Sequence, residues 1–109
     1  IYTYINLFVI QNKLGKVFPA PVSIKIDEAN VVKPDIIYLS LKKANYLTDK
    51  AIEGAPDLVV EVISRANYKK LRESKKRLYA DFGVAEYWEV YPKKQKIIIE
   101  TLAVDEKGE

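Results

Sequence analysis

Three charged residues of this chain sit where the surrounding pattern is apolar, and their types suit binding a divalent cation and attacking a phosphate. Glu61 is the first. It lies within residues 55–64, reading Ala-Pro-Asp-Leu-Val-Val-Glu-Val-Ile-Ser, a β-branched run entered through Gly54 and left through a polar turn. Such a run reads as a strand buried on both faces. Alternation puts Asp57, Val59, Glu61 and Ile63 on one face and Leu58, Val60 and Val62 on the other. A carboxylate is thereby set in an apolar interior, where it is strongly disfavoured unless a cation or hydrogen-bond donors meet it.

Lys75 is the second. Residues 68–82 read as an amphipathic helix with Asn67 as N-cap and Gly83 at its end. At about 100° per residue from Leu71, the apolar stripe holds Phe82 near about 20°, Tyr68 near about 60°, Tyr79 near about 80° and Leu78 near about −20°. Lys75 falls at about 40°, inside that stripe, whereas Lys69, Lys70, Lys76 and Arg77 point elsewhere. A helix folding back over the strand it follows runs antiparallel to it. Glu61 is three residues back from Ser64, roughly 10 Å, and Lys75 is seven beyond Tyr68, roughly 10.5 Å. The two reach the same level.

Asp35 is the third. Residues 35–41 read as a strand introduced by Pro34, with Asp35, Ile37 and Leu39 on one face. If that strand pairs antiparallel with the central one, Asp35 comes beside Glu61. Asp57, some 13 Å further along, reads as a strand-entry or turn residue. Two carboxylates and a lysine converging in a half-buried pocket hold a hard cation such as Mg²⁺ and place an ammonium beside an attacking water or a scissile phosphate. The same residues equally describe a buried Glu61–Lys75 salt bridge with Asp35 as a turn residue, and spacing alone leaves both readings standing.

The elements positioning these residues follow in order. Residues 1–14 read as a helix closed by Gly15, residues 16–21 as a crossing, 22–26 as a half-buried strand and 27–30 as its turn. Residues 42–54 form a surface connection with a turn of helix near 44–47. Residues 86–91 and 96–104 are further strands joined by a turn at 92–95. The strands flanking the 68–82 helix make a right-handed β-α-β crossover. The class is α/β in the broad sense, an α+β mixed sheet with flanking helices, expected as a single domain whose N-terminal part is missing.

Composition narrows the chemistry. Cys and His are both absent, which excludes disulfides, thiolate metal sites and imidazole bases. The apolar run at 5–10 is too short to span a membrane and no basic leader precedes it, so a cytoplasmic protein is the expectation. Seven of the eighteen basic residues fall within positions 65–77. A basic face beside carboxylates suits nucleic-acid phosphate, and also suits a solvated helix face.

At these residues the chain resembles the Uma-two family of the PD-(D/E)xK restriction-endonuclease-like superfamily. The matching text is Val31-Val32-Lys33-Pro34-Asp35-Ile36, then residues 54–64, then Lys75 with Tyr79, then Gly83-Val84-Ala85-Glu86-Tyr87-Trp88. The resemblance implies a restriction-endonuclease-like core, with Asp35 as the proline-preceded acid and Glu61 as the acid of the third motif. Ile63 occupies the position of the superfamily lysine, and Lys75 on the following helix stands at the place from which such families supply the ammonium. Asp57 and Ser64 also match family positions. The expected function is a metal-dependent endonuclease hydrolysing DNA phosphodiesters, with Asp35 and Glu61 holding Mg²⁺ or Mn²⁺, Lys75 as the electrostatic or water-positioning group, and Asp57, Ser64 and Tyr79 in support. Lys69, Lys70, Arg72 and Lys76 would contact DNA phosphates. The alternatives are a catalytically silent nucleic-acid-binding module and a fragment forming a homodimer through Tyr87, Trp88 and the isoleucine-rich last strand.

Overall fold

The computed structural model describes residues 2–63 and 69–102, the side chains of 69–71 excepted. The expected cap Asn67, Tyr68 and the candidate Ser64 therefore lie outside the described residues, as do the side chains of Lys69 and Lys70. Helix α1 covers Tyr2–Gln11, followed by β1 (Gly15–Pro19), β2 (Ile24–Lys25), β3 (Val31–Val32), β4 (Ile36–Ser40) and a 3-10 turn (Leu41–Tyr46). Strand β5 (Leu58–Val62), helix α2 (Lys69–Phe82), β6 (Glu86–Tyr91), a 3-10 turn (Pro92–Lys94) and β7 (Lys96–Thr101) complete the chain. No described helix is long and apolar enough to cross a membrane.

Five strands form one mixed sheet in the order β1-β4-β5-β6-β7. Strand β5 lies antiparallel to β4 and parallel to β6, so α2 is the crossover between β5 and β6. Gly83 ends α2 at φ +105°, a left-handed conformation open to glycine. Two expectations are corrected at the N-terminal side. Residues 15–19, read as part of a crossing, are an edge strand paired with β4. Val17 packs on one face of the sheet and Phe18 on the other, so the segment shows no alternation of polar and apolar side chains. The 22–26 strand shrinks to Ile24–Lys25, paired with β3 in a separate hairpin. Asp27 closes it, its Oδ1 accepting hydrogen bonds from the Ala29 N–H (2.8 Å) and Asn30 Nδ2 (2.9 Å).

The sheet separates two apolar layers. Ile37, Leu39, Val59, Tyr79, Val84 and Tyr87 pack on the α2 side with Ile24 and Ile52, and Val9, Val17, Ile36, Leu58 and Val60 pack on the α1 side. Tyr87, expected at a dimer face beside Trp88, is instead enclosed with its ring centroid 5.8 Å from that of Tyr79. Alternation sends Trp88 to the opposite face of the sheet, where Ile97 and Ile99 of β7 stand exposed.

Gly15 sets how closely β1 can approach β4. A Cβ there would press into the Leu39 carbonyl oxygen and lie 2.8 Å from the Ser40 Cα, both backbone atoms that cannot swing aside. Gly15→Ala is expected to cost about 2 kcal/mol, seen as a lower urea midpoint with an unchanged m value.

Candidate active site

Glu61 is the only charged residue of β5 and is buried, its side chain 9% exposed. It shares the α2 face of the sheet with Val59, so the burial of its strand forces the carboxylate beneath the helix. Asp35 lies across from it. The β4–β5 register pairs Ile36 with Val60, and one step further brings Asp35 opposite Glu61. Asp35 is pinned there from both ends: its N–H donates to the Val60 carbonyl (3.1 Å), and its Oδ2 accepts the Val62 N–H (2.7 Å). Both partners are the immediate neighbours of Glu61.

Helix α2 supplies the compensation. Tyr79, fully buried, donates its hydroxyl to Glu61 Oε2 at 2.6 Å, and Lys75 Nζ stands 3.6 Å from the same oxygen. Residues 75 and 79 are one turn apart, which is why one face presents both. Burial raises the Glu61 pKa, opposed by the Tyr79 hydrogen bond and the Lys75 charge, while the Asp35 charge adds to the rise. Burial and then the Glu61 charge push the Tyr79 phenol upward, so Tyr79 acts as a donor throughout the ordinary pH range. Lys75 was expected in the middle of a buried stripe, yet its side chain is 45% exposed. It keeps its ammonium on Glu61 while remaining open to solvent.

The helix is turned differently from the apolar-stripe reading. Its sheet-facing line runs through Arg72, Lys75, Lys76 and Tyr79, because the sheet beneath it is partly acidic. Glu89, which sequence reasoning missed, is the register partner of Glu61 on β6 and is equally buried. It accepts hydrogen bonds from Tyr87 (3.0 Å) and Tyr91 (2.7 Å), and Arg72 Nε lies 3.8 Å from it. Lys76 Nζ donates to both oxygens of Glu100 on β7, at 3.0 and 3.1 Å, which raises its pKa. Arg72 and Lys76, expected on an outer phosphate-binding face, thus point inward and are paired with carboxylates. The signal for Glu89 was present: an acid between two tyrosines of a strand parallel to the Glu61 strand.

Asp57 stays apart from this group. Its Oδ2 accepts the Ser40 N–H at 2.6 Å and its Oδ1 lies 3.6 Å from Lys43 Nζ, tying the entry of β5 to the end of β4 and the turn beyond it. The carboxylates placed so that they could hold a cation are Asp35 and Glu61. Among the described residues no three side chains come close enough to share one ion. Asp35 Oδ1 and Glu61 Oε1 have no hydrogen-bond partner among those residues, leaving one hard oxygen on each carboxylate. That set fits a small hard ion, which commonly takes one or two carboxylates and fills its shell with water and substrate oxygens.

Residues 1–107 match the model of a family, Uma2, described as "Putative restriction endonuclease". The chain belongs to the Uma2 family. A crystal structure from Anabaena variabilis ATCC 29413, described as "a putative nuclease belonging to DUF820", superposes with a TM-score of 0.74 at 16% identity. The match covers 95% of this chain and 59% of that one, so the chain spans about three fifths of its length. The fold is accordingly the restriction-endonuclease-like mixed sheet with flanking helices. No curated protein matches the chain at a significant level.

The Glu61 environment in this Uma2 domain has a thermodynamic signature. Between the ordinary 4.5 and its raised folded value, Glu61 holds in the folded chain a proton that the unfolded chain has released. Stability therefore falls as pH rises from 4.5 through the folded value. Glu61→Gln fixes the uncharged form, and half-exposed Lys75 stays hydrated without its partner. In metal-free buffer the variant is expected to exceed wild type in stability at neutral pH and to lose that margin well below pH 4.5. Urea midpoints at the two pH values test this; an equal gap at both would mean that Glu61 bears no burial cost.

Proposed function

We propose that this Uma2 domain is a metal-dependent endonuclease hydrolysing DNA phosphodiester bonds, with Asp35 and Glu61 holding Mg²⁺ or Mn²⁺. The observation carrying the reading is the convergence of Asp35, opposite Glu61 in register, with Lys75 Nζ 3.6 Å from the Glu61 carboxylate. A divalent ion bound there would polarise the phosphodiester and offset its charge. Val62 and Val60 hold Asp35 by its Oδ2 and its N–H, leaving Oδ1 for the ion. Tyr79 is a positioning residue that fixes the rotamer of Glu61 by donating to Oε2. Lys75, anchored on the same oxygen but open to solvent, offers a positive charge where a phosphate or its attacking water would lie.

A second reading is a DNA-binding module without catalysis. Lys75 and Tyr79 converge on one Glu61 oxygen as they would in a purely structural ion pair, and no third carboxylate joins the set among the described residues. A homodimer, if formed, would use the exposed Trp88 side of β7, at Ile97 and Ile99, and would appear in sedimentation equilibrium.

Supercoiled plasmid distinguishes the first two readings. The protein is expected to nick it with Mg²⁺ or Mn²⁺ and not with EDTA. Glu61→Gln is expected to lower the rate by roughly a hundredfold or more, and Lys75→Met by a similar factor. Nicking that survives Glu61→Gln places the chemistry elsewhere. Duplex binding with no nicking under any metal selects the silent module.

A further inference from the structure

The turn between β6 and β7 gathers positive charge around one aromatic ring. Arg72 Cζ lies 5.7 Å from the centroid of the Tyr91 ring, Lys94 Nζ 5.8 Å and Lys96 Nζ 5.5 Å. Each contact is separately favourable, but three like charges about one ring repel one another, and the arrangement is relieved by an anion. The protein supplies few. Arg72 alone has a carboxylate, Glu89, and among the described residues no acid lies within 4 Å of Lys94 or Lys96. Both lysines are exposed, and Lys93 adds another charge between Pro92 and Lys94.

The ring itself is fixed. Tyr91 donates its hydroxyl to Glu89 Oε1 at 2.7 Å, and Glu89 is the register partner of Glu61. Tyr91 is two residues beyond Glu89, so the cation cluster stands roughly 7 Å along the sheet from the level of Glu61. Arg72 is one helical turn before Lys75. The cluster and the carboxylate pair are thus presented at one end of the parallel β5–β6 pair.

We infer that Tyr91, Lys94 and Lys96, backed by Arg72, form the seat for the DNA backbone, holding phosphates that flank the one to be cleaved. The choice of DNA as the anion rests on the nuclease reading above; the electrostatic site does not. Contacts of this kind fix position on the duplex without reading sequence. This surface takes the role that sequence reasoning gave to the outer side of α2, whose Arg72 and Lys76 are turned inward.

Binding of a short labelled duplex, followed by fluorescence anisotropy in EDTA over a series of salt concentrations, tests the seat apart from cleavage. Lys94→Ala/Lys96→Ala is expected to weaken binding about tenfold or more and to lower the slope of log affinity against log salt by about 2. Lys42→Ala/Lys50→Ala, an exposed pair removing equal charge, should leave both nearly unchanged. Wild-type affinity in the Lys94→Ala/Lys96→Ala protein, equal losses in the two lysine pairs, or no duplex binding by the wild type overturns the inference. If the seat fails while Glu61→Gln still abolishes nicking, the nuclease reading stands without it. If the seat holds while plasmid is never nicked, it survives as a docking surface of the silent module.

Discussion

The fold depends on neutralising a line of carboxylates that the sheet presents to its own crossover helix. Asp35, Glu61 and Glu89 stand in register on three neighbouring strands, and Glu100 follows on β7. Helix α2 answers with Lys75 and Tyr79 on Glu61, Arg72 on Glu89 and Lys76 on Glu100. Ion pairs with one partner buried, as at Glu61 and Glu89, add little net stability over apolar packing, but breaking one leaves an uncompensated charge. Their effect is to set the rotation of the helix. Turning α2 by half a turn would carry Arg72, Lys75 and Tyr79 away from the sheet together, leaving Glu61 without its ammonium and phenol and Glu89 without its guanidinium.

Two of these pairs look alike and differ in access. Arg72 is 16% exposed, its Nη1 is enclosed with no hydrogen-bond partner among the described residues, and Glu89 beneath it is held by two tyrosine hydroxyls. Both Glu89 oxygens are thus engaged, and neither is left for a cation. Lys75 is nearly three times as exposed, and Glu61 and Asp35 each retain an oxygen that no described side chain engages. The difference is one of position on the helix. Arg72 sits over Glu89 of β6 with the Tyr91 ring 5.7 Å from its guanidinium, whereas Lys75 stands over Glu61 of β5. Charge alone would not select between the two acids; access does.

Much of this arrangement was legible in the sequence wherever a residue broke a strong local pattern. Glu61 in a β-branched run, Pro34 before Asp35, and Gly83 after an amphipathic segment placed β5, the entry to β4 and the end of α2. The boundaries of β6 follow from Glu86 to Tyr91 directly. The rotation of α2 did not follow, because the stripe was sought among apolar side chains and the helix is docked by charged ones. Taking Leu71 as the centre put Arg72 and Lys76 outside; the observed centre lies near Tyr79, a residue that is both apolar in body and polar at its tip. Strand β1 escaped for a related reason. Val17 and Phe18 are used on opposite faces, and a segment covered on both sides carries no period of two.

The docking by charge also bears on where the ammonium of the candidate site originates. Ile63, at the strand position from which the resemblance would place a lysine, is half-buried and contributes only its backbone N–H, which bonds the Val90 carbonyl at 2.8 Å. A lysine carried on β5 would keep its distance from Glu61 by covalent geometry. Lys75 has no such guarantee: its separation from Glu61 is set by how α2 lies on the sheet. The Arg72–Glu89 and Lys76–Glu100 pairs stand before and after it on the same helix and tie that helix to β6 and β7. Moving the lysine from strand to helix therefore makes flanking ion pairs part of the site, since they fix the element that aims it.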